Sequence, residues 1–172
     1  MFELAERISD RHLTAKDNVS EFECGSSTWA VDVGGFLRDD ALNQQSQGIN
    51  KTRLFYLDGE LAGFVSLLAY TLQLRKVRWL PNKIATHTTV PAVLLGQIGV
   101  DSKYQHQGIA RLIMRWTHVE VSQSAIGARC IVLHCHKDNP AIALYKSEEY
   151  FIADPKGTDD LMLMAKDIYR VS

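Results

Sequence analysis

The sixteen residues VDSKYQHQGIARLIMR, 100 to 115, hold the most suggestive chemistry in the chain. Gly108 stands between a polar turn and a helix-forming run, directly behind the apolar stretch AVLLGQIGV at 92–100. Inside a helix a glycine costs roughly 1 kcal/mol relative to alanine. At a strand-to-helix junction its missing Cβ instead allows an unusual backbone conformation or a close approach to a ligand. The first N–H groups of a helix have no partner within it, and the helix dipole adds partial positive charge there. With small residues at Gly108 and Ala110, this junction suits an anion such as a pyrophosphate. The loop is neither a G-K-[ST] nor a G-x-G-x-x-G phosphate loop, and a plain turn remains the alternative.

Other residues invite chemistry less strongly. Cys24 has no histidine or acid placed by sequence to activate it, so a buried structural role is expected. In LHCHKD, His134 and His136 share one face of a strand and Cys135 takes the other. That arrangement favours a satisfied or solvated histidine pair, and no metal site is expected. Arg75, Lys76, Arg78 and Trp79 mix basic and aromatic residues, as an RNA-contacting loop does, with a solvated loop as the alternative. Arg111 and Arg115 stand one helical turn apart and face either a phosphate or water.

Composition sets the frame. The chain has 172 residues, 46% of them apolar, and a net charge of −1, the profile of one soluble domain, 1–172, with a sizeable core. No Asp or Glu occurs from Leu61 to Val100, where Arg75, Lys76, Arg78 and Lys83 all fall. One region is therefore locally basic on a nearly neutral protein. Three cysteines fit a reducing cytoplasm. The most apolar run, 61–74, is shorter than the ~20 residues of a spanning helix, so no membrane association is expected.

The elements that position these residues follow from periodicity. FELAERI at 2–8 alternates as a first strand. Val33, Phe36, Leu37, Ala41 and Leu42 form a helical stripe that Gly48 ends. Asp58-Gly59 joins two strand-like runs as a hairpin. The segment LRKVRWLPNKIATHTTVP reads as loop. Ile109, Leu112, Ile113, Trp116 and Val119 form a second helical stripe, RCIVLHC a buried strand, and Asn139-Pro140 the start of a short helix. Two closing strands follow. This order predicts an α/β (α+β) domain around one mixed sheet.

The string V-D-x-x-x-Q-x-x-G-x-A, then a strand, then N-x-A-x-x-x-Y, resembles the GNAT acetyltransferase superfamily. The resemblance implies a mostly antiparallel central sheet flanked by helices, with a splayed strand pair for acetyl-CoA. It implies that the loop Gln105, His106, Gln107, Gly108, Ile109, Ala110 holds the pyrophosphate. Pantetheine would pair with Ile98, Gly99 and Val100, and Asn139 would also serve the cofactor. Tyr145 would be the general acid that returns a proton to the leaving thiolate, and the Val100 amide the candidate oxyanion donor. One departure from the family is visible: Glu149-Tyr150 replaces the usual Gly-Phe after the short helix.

FECG at 22–25, FLR at 36–38, VPAVLLGQIGVD and YQHQGIA are further similar to the GNAT toxins of bacterial toxin–antitoxin pairs. Gln97 stands where those toxins commonly carry an arginine, and His106 where a glycine is common. This likeness implies transfer of an acetyl group to the amino group of aminoacyl-tRNA, with Arg75, Lys76 and Arg78 as candidate RNA contacts. A ribbon-helix-helix antitoxin and a second copy of the chain are candidate partners. No carboxylate lies on the strand 92–100 to act as base, which suits an amine that is already largely neutral. An α-amino group has a pKa near ~8, against ~10.4 for lysine. The competing expectations are an acetyltransferase for a small amine or a protein N-terminus, and a non-catalytic CoA-binding regulatory module.

Overall fold

A computed structural model of the chain describes residues 2–73, 89–154 and 160–169. Helix α1 (Phe2–Arg7) is followed by β1 (Ile8–His12), α2 (Thr28–Gly35), a π-helical turn (Phe36–Asp40) and α3 (Ala41–Ser46). Then come β2 (Lys51–Leu57), β3 (Glu60–Gln73), β4 (Thr89–Val100), a 3₁₀ turn (Ser102–Tyr104) and α4 (Ile109–Gln123). The chain closes with β5 (Cys130–His136), α5 (Ile142–Ser147), β6 (Phe151–Asp154) and β7 (Leu161–Asp167). The seven strands lie in the order β1-β2-β3-β4-β5-β7-β6. The pairs β1–β2, β2–β3, β5–β7 and β6–β7 are antiparallel, and β4–β5 is parallel. This is the mixed, mostly antiparallel α/β sheet that the sequence predicts.

The chain divides into two compact units, 1–68 with 96–114 and 69–95 with 115–172. Each has its own apolar core. In the first, Leu37 and Ala41 of the predicted stripe join Leu13, Phe22, Leu54 and Phe64, while Leu42 stays 40% exposed. In the second, Leu72, Val90, Ala92, Cys130, Val132, Leu163 and Ala165 pack together.

Asp58 and Gly59 both take positive φ, 50° and 90°, as a two-residue hairpin turn requires. Gly48 ends the helical stretch with φ 74°. The first segment differs from expectation: residues 2–7 are helical, and the strand is 8–12. Leu, Ala, Glu and Arg are good helix formers, and seven alternating residues are too few to outweigh them. The strand begins where the chain meets a partner, in register Ile8↔Leu57 to His12↔Arg53. Strand β3 runs up to the edge of the predicted loop at Gln73, and β4 begins within it at Thr89. Arg75, Lys76, Arg78, Trp79 and Lys83 lie outside the described residues.

Pairing of β4 with β5 covers only Ala92↔Cys130 to Leu94↔Val132, while β4 continues to Val100 and β5 to His136. No helix among the described residues is long and apolar enough to cross a membrane.

Candidate active site

Gly108 has φ +87° and its carbonyl accepts the first helical bond of α4, from the Leu112 amide at 3.0 Å. It therefore caps the helix, leaving the amides of the following turn without intrahelical partners. His106, Gln107 and Gly108 are exposed, and Ile109 is buried. No acid stands in the first turn of α4 to compete for those amides. An anion meets free N–H groups and the positive end of a 15-residue helix.

The loop reverses twice, since His106 also takes a left-handed φ of 62°. Left-handed backbone is what glycine adopts without cost, so histidine at this position carries strain that a glycine lacks. Gln105 has a role that its motif position did not reveal. Its amide donates to the Cys24 carbonyl at 2.7 Å and to the Val100 carbonyl at 3.1 Å, bracing the loop against the end of β4. Asp101 completes the brace, accepting from the Lys103 amide at 3.0 Å and the Glu23 amide at 3.4 Å. An aspartate followed by a short polar turn is a signal for such side-chain-to-backbone bonding, and it was not read from the sequence.

Cys24 is half-buried, not fully enclosed as expected. A Cβ added to Gly99 would stand 2.6 Å from Phe64 Cε1, 2.8 Å from Cys24 Sγ and 2.9 Å from Val33 Cγ1. Gly99 is thus the only size of residue that lets these three side chains close on β4. Burial pushes the Cys24 thiol up to about 12, the Asp101 charge adds to that, and a backbone hydrogen bond from Val100 opposes it. A thiol so far from ionising is no nucleophile near neutrality. It does engage the Val100 amide, as a weak sulfur acceptor.

In the second unit the Asn139 side chain accepts from the Ala141 amide at 2.8 Å, and its carbonyl accepts from Ile142 at 3.1 Å. Asn139 and Pro140 thus form a turn ahead of the helix and not its expected start: α5 begins at Ile142, capped by Ala141 without a side-chain bond. Helix α5 ends in a Schellman motif: Tyr150 N–H donates to the Tyr145 carbonyl at 3.0 Å and Glu149 N–H to the Lys146 carbonyl at 3.1 Å. Glu149 takes φ 66° there, in place of the usual glycine. Tyr145 is buried, which together with Cys135 holds its phenol well above the usual range and keeps it protonated.

Arg115 forms a bidentate pair with the buried carboxylate of Glu148, at 2.9 and 3.1 Å. It is therefore committed to a protein partner, not to a phosphate or to water alone. Arg111 lies on the first turn of α4. His134 stacks edge-on against Tyr70, and His136 lies 3.9 Å from both Asp138 and Asp160. No group of three or more metal-ligating side chains occurs among the described residues.

Residues 18–148 match the acetyltransferase (GNAT) family. A tRNA-acetylating toxin of Mycobacterium tuberculosis (strain ATCC 25618 / H37Rv) is 28% identical over 161 residues, 91% of this chain and 92% of that protein. Among solved structures, a bacterial toxin aligns with TM-score 0.78 at 18% identity, covering 94% of this chain and 90% of its own. The protein AtaT, complexed with acetyl-methionyl-tRNAfMet, aligns with TM-score 0.72 at 19% identity, covering 93% and 94%.

Proposed function

The chain belongs to the GNAT acetyltransferase family, and from that premise we propose that it transfers acetyl from acetyl-CoA to the amino group of aminoacyl-tRNA. The turn from Gln105 to Gly108 at the head of α4, exposed from His106 onward, carries the cofactor half of this reading. Its free amides and lack of acid fit a pyrophosphate, and Ile98, Gly99 and Val100 offer strand backbone to the pantetheine amides. The acceptor half is supported by the M. tuberculosis relative, which the chain matches along nearly its whole length. The match to 18–148 draws on both compact units, which supports reading the whole chain as one acetyltransferase domain.

In the proposed reaction the neutral amine attacks the thioester carbonyl and loses a proton to water. The Val100 amide donates to the developing oxyanion. The C–S bond then breaks, and Tyr145 gives its phenolic proton to the departing thiolate. No side-chain base is required, because an α-amino group near ~8 is already substantially neutral at working pH. Arg75, Lys76 and Arg78 serve as RNA contacts, and the action is cytoplasmic, restrained by a cognate antitoxin.

The test is a side-by-side incubation of labelled acetyl-CoA with charged tRNA and a panel of small amines. Label on the aminoacyl group, with activity falling steeply as salt rises, is the expected result. Replacing Arg75, Lys76 and Arg78 with alanine should raise KM for charged tRNA without changing acetyl-CoA affinity. Transfer to the small amines alone would reject the tRNA acceptor and leave the acetyltransferase standing.

A further inference from the structure

Arg7, Arg11, Arg53, Arg115 and Arg129 each hold a carboxylate, of Asp58, Asp17, Asp10, Glu148 and Asp167 in turn. Arg38 does not. It is half-buried, and its Nη1 donates to the main-chain carbonyl of Phe22 at 2.5 Å, a neutral partner. Among the described residues it forms no ion pair. A guanidinium carries five N–H donors and no acceptor, and a charge drawn out of water costs free energy unless it is paired.

The local backbone explains where this charge sits. The π-helical turn Phe36–Asp40 closes with the Ala41 N–H on the Phe36 carbonyl and buries Leu37. Phe36 stacks on Phe64, ring centroids 6.2 Å apart at 18°. Arg38 reaches back over Gly34, where an added Cβ would stand 3.2 Å from Nη1. With Ala30, Val31, Gly34 and the segment 23–26 it lines a cavity of about 500 Å³, within the size range of small-molecule sites. Cys24 belongs to the same lining, and its thiol engages the Val100 amide, so the cavity opens beside the candidate oxyanion donor. Glu23 lines it too, but on an exposed side chain, where water and salt screen the charge.

We propose that Arg38 binds a backbone phosphate at the 3′ end of the acceptor RNA and so sets the aminoacyl ester beside the thioester. This deepens the reading of the chain as an aminoacyl-tRNA acetyltransferase and rests on it. A phosphodiester supplies the fixed negative charge that the guanidinium lacks, and its paired oxygens match the planar fork of an arginine. The bond to Phe22 occupies Nη1 and leaves Nε and Nη2 to the ligand. A small free amine brings no such group and gains nothing from this cation.

The experiment compares two acceptors loaded with the same amino acid, an aminoacylated CCA trinucleotide and an aminoacyl-adenosine that carries no phosphate. Arg38→Gln removes the charge yet keeps an N–H donor for the Phe22 carbonyl. It should raise KM for the trinucleotide about tenfold or more, and leave kcat, KM for the adenosine ester and the Kd for acetyl-CoA unchanged. On full charged tRNA, the slope of log kcat/KM against log salt should become shallower by about one. Arg38→Lys keeps the charge without the fork, so it should show a smaller rise of the same kind, and it serves where Arg38→Gln does not fold. A merely structural Arg38 would penalise both acceptors alike, and that result overturns the proposal. Weakened acetyl-CoA binding would place the phosphate on the cofactor and overturns it too. A wild-type protein that acetylates neither the trinucleotide nor charged tRNA would instead reject the acceptor reading on which this role rests.

Discussion

The side-chain amide of Gln105 reaches the carbonyl of Cys24 at 2.7 Å, across 81 residues of sequence. A second bond from the same nitrogen, to the Val100 carbonyl, makes Gln105 the tie between the anion loop, the segment 22–25 and the end of β4. Gln105→Ala leaves both carbonyls short of a donor. It should weaken acetyl-CoA binding by about tenfold, consistent with the ~1–2 kcal/mol of two such bonds, and calorimetry checks this. Gln105→Glu should bind more weakly still, because its carboxylate repels both carbonyls and the phosphate.

Gly108→Asp should abolish acetyl-CoA binding in calorimetry while the protein still folds. A Cβ at Gly108 would meet nothing closer than Leu4 Cδ2 at 3.8 Å, so the fold tolerates it sterically. The left-handed φ costs ~1–2 kcal/mol, partly offset because aspartate is a good helix cap. Binding fails for electrostatic reasons, since the carboxylate takes the free amides that an anion needs.

Tyr145→Phe should lower kcat by ~10²-fold or more, the usual scale of general acid catalysis. Acetyl-CoA affinity should change little, because the ring and its place in α5 persist. Single-turnover kinetics with labelled acetyl-CoA measure both quantities. Unchanged turnover would assign the proton to water or another group.

His106→Gly and Glu149→Gly should each stabilise the protein. Both residues hold left-handed conformations, at φ 62° and 66°, a strain of ~1–2 kcal/mol for a side chain with Cβ. Glycine returns ~0.4–1 kcal/mol of that as unfolded-state entropy. The net gain of about 1 kcal/mol corresponds to a Tm rise of roughly 2–4 °C at this chain length. Losing the 3.4 Å contact between Lys166 and Glu149 subtracts little, since exposed pairs contribute only about 0–1 kcal/mol.

Asp17 should make stability depend on acid. Its side chain is fully shielded and pairs with Arg11 at 2.5 Å, accepting also from Thr14 at 2.7 and 2.8 Å and from Tyr56 at 3.0 Å. Burial pushes its carboxyl up, but the Thr14 and Tyr56 bonds and the Arg11 charge together hold it below the usual range. A carboxyl depressed by folding contributes stability above its unfolded value near ~3.9, lost as pH falls through the lower folded value. Asp17→Asn should therefore cost ~1–3 kcal/mol at neutral pH, and denaturant melts should show the deficit shrinking below about pH 4.

Sequence alone determined what is local. The α4 stripe from Ile109 to Trp116, the Asp58-Gly59 hairpin, the Gly48 stop, the Gly108 turn and the Asn139 turn were legible because each depends on residues within a few positions, where period and turn chemistry act. Val119, the last of the expected stripe, is exposed. The departures at His106 and Glu149 were legible as residue types, but only the structure gave them their left-handed backbone. Tertiary structure decided whatever joins distant segments. The bond from Gln105 to Cys24, the closing of Phe64, Cys24 and Val33 on Gly99, and the Arg115–Glu148 pair have no local signature. The first segment followed the same division: residues 2–7 kept their local helical preference, and Ile8–His12 became a strand because β2 offered its edge. Pairing and packing reward contacts that propensity cannot anticipate.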